Sequence, residues 1–265
     1  MEAGNAADSR ASQVTFMQIM PTEEVELMTS DGVRLVADVY LPDGLPRSAA
    51  VVAHGFSGSR REPTVVEQVR DLVKNGFAVV VHDARGHGAS GGICTVGDRE
   101  ALDVKAAVDH ARTLHHKTVV VGASMGAIGA IRYAAAHPDI DGVVAVSSPA
   151  VWQYPRTPIG LLSALIVRTR LGRAIARRHM GVTISPTFSY PEPPIELIKR
   201  ISAPVAIVHG RRDRVISPLA ADELHEAAKS PRILYLVDRM GHAFEDFGRP
   251  TVTAATEWVL ARSPA

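Results

Sequence analysis

Apolar residues in this chain recur with two different periods, and each switch between them marks the edge of an element. Glu24 to Met28 and Val33 to Leu41 alternate apolar and polar positions on either side of Ser30-Asp31-Gly32, which predicts a β-hairpin with an Asp-Gly turn. Pro42 to Pro46 closes it. Beyond that point the short runs Ala49–Ala53, Phe77–Val81, Val119–Val121, Gly142–Val146, Val205–Val208 and Arg232–Val237 are largely or wholly apolar and rich in β-branched residues. Runs of that kind suit strands buried on both faces. Between them the period lengthens to that of a helix, as in Pro63–Asn75, where Val65, Val66, Val69, Leu72 and Val73 share a side and Gly76 ends the segment. Asp98–His115, Ala127–Ala136, Pro194–Ile201, Pro218–Lys229 and Thr251–Arg262 read the same way. Strand and helix alternate from residue 49 to 146, so a parallel sheet with helices on both faces is expected.

The rhythm breaks from Ala150 to about Pro194. Ile159 to Val167 is apolar nearly all round, five arginines follow from Arg168 to Arg178, and Ser185 to Pro194 is rich in proline. No acidic residue occurs between Ala150 and Tyr190. This stretch reads as an insertion over an otherwise regular domain of residues 21–265. Met1 to about Met20 mixes Ala, Asn, Asp, Ser and Arg without an apolar run, and is expected to be a flexible leader rather than a secretory signal.

Composition narrows the possibilities mainly by exclusion. With 29 basic and 28 acidic residues among 265, the chain has no global charge suited to nucleic acid. Cys94 is the one cysteine, so neither a disulfide framework nor a cysteine-based metal site is expected. The longest apolar stretch, Ile159–Val167, is about half of what a bilayer span requires. A cytoplasmic location is the expectation that follows.

The candidate chemistry lies where a strand turns into a helix. Val119–Val121 leads into Gly122-Ala123-Ser124-Met125-Gly126 and then into the helical Ala127–Ala136. A sharp strand-to-helix turn holds a serine hydroxyl out at the strand's carboxyl end, and its glycines leave room for neighbouring backbone. A serine needs a base, and the base needs an acid to orient it. Of eleven histidines, His242 alone follows the last strand in a short loop with a glycine before it. Asp213 lies just past the strand Val205–Val208, 29 residues before His242; Asp238 and Asp246 compete with it, although Asp238 is close to His242 in sequence and Glu245 and Asp246 read as leading into the last helix. The glycine-rich loop Asp83–Gly92 fits neither a dinucleotide fingerprint nor a Walker loop, and no nucleotide site is expected there.

The order Ser124, Asp213, His242 on a mostly parallel sheet, with the elbow around Ser124, resembles the α/β-hydrolase fold. The resemblance extends from about Glu24 to the C-terminus and includes the leading antiparallel hairpin and the Asp83-x-Arg85-Gly86-x-Gly88-x-Ser90 loop. It implies that His54-Gly55-Phe56 is an oxyanion-hole loop, with the backbone N–H groups of Phe56 and Met125 as donors, and that residues 150–194 form a short helical cap. Ser124 at the elbow, where dehalogenases and epoxide hydrolases of this fold carry Asp, leaves ester or thioester hydrolysis as the implied class. No metal or organic cofactor is called for.

Three readings of function stay open. A serine esterase would take a small or medium ester, with Leu161, Leu162, Leu165 and Ile166 of the cap as its substrate-binding residues. A thioesterase or acyl-transferring enzyme would use the cap arginines against coenzyme A, a phosphopantetheine or a carrier protein. A receptor-like protein would bind a ligand on the same fold with little turnover.

Overall fold

The computed structural model describes residues 20–152, 157–229 and 231–264. The expected leader therefore lies, apart from Met20, outside the described residues. Eight strands form one sheet in the order β1-β2-β4-β3-β5-β6-β7-β8. β1 (Glu23–Met28) and β2 (Arg34–Tyr40) make the antiparallel hairpin, and β2 continues antiparallel onto β4 (Phe77–His82). From β4 through β3 (Ser48–Ala53), β5 (Thr118–Ala123), β6 (Gly142–Val146) and β7 (Val205–Gly210) to β8 (Arg232–Val237), every pairing is parallel. This is the α/β-hydrolase fold.

The apolar runs sit where their composition demands. All residues of β3, β4, β5, β6 and β7 are buried, whereas β8, at the edge, is half-buried throughout. On one face, α1 (Pro63–Lys74) and α8 (Arg249–Leu260) cover the sheet through Val65, Val69, Leu72, Val252, Ala255 and Val259. On the other, α2 (Glu100–Leu114), α3 (Met125–Ala136), α6 (Pro194–Ile198) and α7 (Leu219–Ala227) pack through residues such as Val104, Ile131, Ile198 and Leu224. Two layers of helix on a parallel sheet leave the loops at the strands' carboxyl ends as one continuous rim.

The insertion between β6 and α6 is helical. α4 (Pro158–Arg168) and α5 (Arg170–Ile175) each begin on a threonine whose hydroxyl accepts an amide hydrogen bond: Thr157 from Gly160 and Thr169 from Gly172. A π-helical turn, Ala176–Met180, follows and ends at Gly181 in the left-handed region. The chain then returns to the core by a β-bridge between Cys94 and Ile184.

Candidate active site

Backbone crowding fixes the turn at Ser124. A Cβ on Gly126 would lie 2.2 Å from the carbonyl oxygen of Ala53, and one on Gly122 would lie 2.4 Å from that of Gly126. Ser124 itself has φ 53° and ψ −113°, a conformation L-residues adopt only when the surroundings impose it. Its N–H is tied to Val146 O at 2.8 Å. The serine is thus held at the N-terminus of α3, directly above β5.

Asp213 and His242 meet across two loops. His242 Nδ1 lies 2.7 Å from Asp213 Oδ2, and the Asp213 carboxylate is fully buried. Asp213 Oδ1 accepts from the N–H groups of Val215 (2.8 Å) and Ile216 (2.9 Å), and His209 Nε2 stands 3.3 Å from Oδ2. Burial pushes this carboxyl up, but the bonds from His209, His242 and the Ile216 amide outweigh it and hold the group well below the usual carboxylate range. An anion stabilised in this way fixes the ring tautomer of His242, with Nδ1–H donating to Asp213 and Nε2 left for the cavity. The competing acids lie elsewhere: Asp238 is exposed and paired with Arg211 at 2.9 Å, and Asp246 is exposed beside Arg249.

Two further residues shape the His242 loop and were not singled out by sequence. Glu245 folds back to accept from Gly241 N–H at 2.7 Å rather than starting the last helix, which begins at Arg249. Ser147, at the end of β6, accepts from Ala243 N–H at 3.1 Å. The first bond is local, four residues apart, whereas the second joins positions far apart in the chain, whose spacing carries no signal.

Ser124 and His242 line one cavity of about 550 Å³ under the cap, together with Phe56 and Met125. Among the described residues, neither the Phe56 nor the Met125 N–H donates to a protein acceptor, as expected for a loop and a helix start that border open space. Behind them His54 is buried, accepts from Ala84 N–H through Nε2 at 3.0 Å and meets His87 edge-on. Burial, and next the neighbouring His87, lower its pKa to about 3, so it is a neutral framework residue. The Asp83–Ser90 loop is bound up in structure as well. Asp83 accepts from Arg60 and Ala89, and Arg85 is clamped between Asp31 and Asp103.

The cap corrects one expectation. Of Leu161, Leu162, Leu165 and Ile166, only Ile166 lines the cavity; the three leucines point outward and are more than half exposed. Gly160, Ser163, Ala164 and Val167 form the inward stripe instead. An α-helix can turn only one stripe toward a wall, and small residues at i, i+3 and i+4 let α4 come close.

The family model described as serine aminopeptidase S33, a group of hydrolases, matches residues 44–193, more than half of the chain. The chain belongs to this family. A monoacylglycerol lipase of Mycolicibacterium smegmatis is 27% identical over an alignment covering 87% of this chain and 94% of that protein. A bifunctional esterase/perhydrolase of Acinetobacter calcoaceticus is 26% identical, covering 71% of this chain and 82% of its own. A solved Pyrococcus furiosus esterase superposes with a TM-score of 0.71 at 24% identity, covering 92% of this chain and 91% of that one, a likeness of fold. Among the described residues no group of side chains is arranged to hold a metal ion, and no helix is long and apolar enough to cross a membrane.

Proposed function

We propose that this chain hydrolyses carboxylic esters of small molecules through Ser124, His242 and Asp213. The observation that carries the reading is the coincidence, in one apolar-walled cavity, of a serine held at positive φ and a histidine hydrogen-bonded at 2.7 Å to a buried, strongly acidic carboxylate. The names of the Mycolicibacterium lipase and the two esterases support the same reaction class.

The steps follow from the placement of each group. His242 Nε2 takes the Ser124 proton as Oγ bonds to the ester carbonyl carbon, and the carbonyl oxygen becomes an oxyanion facing the N–H groups of Phe56 and Met125. Such donors act on charge that exists only in the transition state, and losing one typically costs about 2.7–4 kcal/mol. The C–O bond to the alcohol then breaks, with the alcohol leaving on the proton from His242. Water, deprotonated by His242, releases the acid and restores Ser124. Asp213 stays ionised throughout and balances the transient imidazolium. Ser124 Oγ has no hydrogen-bond partner among the described residues. In hydrolases the serine–histidine contact often tightens only when substrate is bound.

The test is turnover of p-nitrophenyl esters from acetate to decanoate, beside acyl coenzyme A thioesters and aminoacyl anilides, with wild type and Ser124→Ala. Ester cleavage lost in the variant is the expected result, and the chain-length optimum sizes the pocket. Faster turnover of the thioesters would move the reaction to the thioesterase class, whereas tight binding of ester without product would leave the receptor-like reading.

A further inference from the structure

A second space of about 240 Å³ adjoins the cavity beside Ser124 under the cap. Val96, Val167, Arg168 and Phe188 line both spaces, so they share a wall with a cation at the junction. The second chamber adds Arg173 and the hydroxyl-bearing Thr95, Ser185, Thr187 and Tyr190. None of its lining residues is acidic. Among the described residues neither arginine forms an ion pair. Arg168 lies over the Tyr190 ring, 5.7 Å from the centroid, and its guanidinium donates no hydrogen bond to a described residue. Arg173 is anchored by Nη1, which donates to Val167 O (3.2 Å) and Arg168 O (3.1 Å), the open carbonyls at the end of α4. Its Nε and Nη2 have no described acceptor.

The nearby carboxylates are already engaged. Glu100 accepts from Thr95 N–H, Thr95 Oγ1 and Gly97 N–H at 2.6–2.7 Å, and it does not line the chamber. Asp98 accepts from Ser189 Oγ at 3.1 Å and lies 3.8 Å from Arg132. Two guanidinium groups thus line the smaller space with no acidic side chain on its wall, while Glu62, Glu223 and Glu245 line only the larger cavity, and a cleft of one sign concentrates ions of the other. A guanidinium's planar fork matches the oxygens of a carboxylate or phosphate. The other described arginines of the cap, Arg170, Arg177 and Arg178, line neither space; Arg168 is exposed like them but borders both, and Arg173 is half-buried.

We propose that this chamber is an anion subsite. It receives a carboxylate or phosphate carried at the far end of an ester whose reacting carbonyl sits at Ser124. The inference rests on the ester-hydrolase reading and sharpens it: the substrate is bifunctional, with an apolar stretch between a scissile ester and a terminal anion.

Two matched pairs of substrates test this. The first is mono-p-nitrophenyl suberate against p-nitrophenyl octanoate, and the second is an acyl glycerol phosphate against the same acyl glycerol. Wild type is expected to prefer the anionic member of at least one pair by about tenfold in kcat/KM, the scale of one charge-assisted hydrogen bond, with the preference shrinking as salt is added. The pair that shows it tells whether the anion belongs to the acyl or the alcohol part. Arg168→Gln, which removes no described hydrogen bond, should bring the ratio most of the way to one. Arg168→Gln with Arg173→Gln should abolish the preference, Arg168→Lys should keep part of it, and the exposed Arg178→Gln should keep all of it. Ser124→Ala protein titrated with suberate should bind it with an affinity that falls in the Arg168→Gln background, a readout free of turnover. Equal rates within both pairs, or a preference that survives the double substitution, overturns the subsite while leaving the hydrolase standing. Wild type that cleaves no ester of either pair defeats the hydrolase reading itself.

Discussion

The floor and the roof of the cavity are built on opposite principles. Around Ser124 nearly every atom is constrained from several directions: Gly126 lies against the Ala53 carbonyl, Asp213 takes bonds from two amides and His242, and Arg60 is buried among Asp38 and Asp83. The cap has short helices that begin on threonine hydroxyls, exposed leucines at 161, 162, 165 and 171, and, among the described residues, arginines without acidic partners. A crowded floor fixes atoms to within the tolerance that bond-making demands, whereas a loosely tied roof can change what is admitted without disturbing them.

The largest effect expected is on the floor. Ser124→Ala should lower kcat by about 10⁴-fold or more with the fold intact, checked by turnover beside circular dichroism. Asp213→Asn should cost about 10⁴-fold by stabilising the wrong tautomer of His242, and a pH–rate profile on the residual activity would report it. A fall of less than tenfold in either variant would mean that the chemistry is elsewhere.

Stability separates the two regions next. Gly126→Ala should cost about 3 kcal/mol or more, because its methyl must displace backbone rather than a flexible side chain; urea unfolding measures it. Acid should act on the floor as well. Burial, and for His54 also the nearby His87, hold His54 down to about 3, and burial holds His82 down to about 4, from an ordinary 6.5. Between pH 6.5 and about 4 the unfolded chain therefore binds more protons than the folded one, so stability falls as pH drops, by about 1.4 kcal/mol per pH unit for each histidine. Urea midpoints that do not decline from pH 6.5 to about 5 would refute this. The smallest effect belongs to the roof: Leu162→Ser, on the outward face of α4, should change stability by no more than about 0.5 kcal/mol. A loss of several kcal/mol would show that the outer face of α4 is structural after all.

Much of this contrast is legible before folding. The two periods of the apolar residues mark the strands and helices, because burial on both faces of a sheet requires unbroken β-branched runs and burial on one face of a helix requires a stripe. The elbow is legible for a similar reason, since Gly122 and Gly126 leave a local trace of backbone crowding. Tertiary structure alone decided the rest. Ser147 holding Ala243 joins positions far apart in the chain, whose pairing no local pattern announces. The facing of α4 is the clearest case: a segment apolar on nearly every side carries no internal signal of which stripe turns inward. That Gly160, Ser163, Ala164, Ile166 and Val167 border the cavity while the three leucines face outward was decided by how α4 docks over the floor, not by its own sequence.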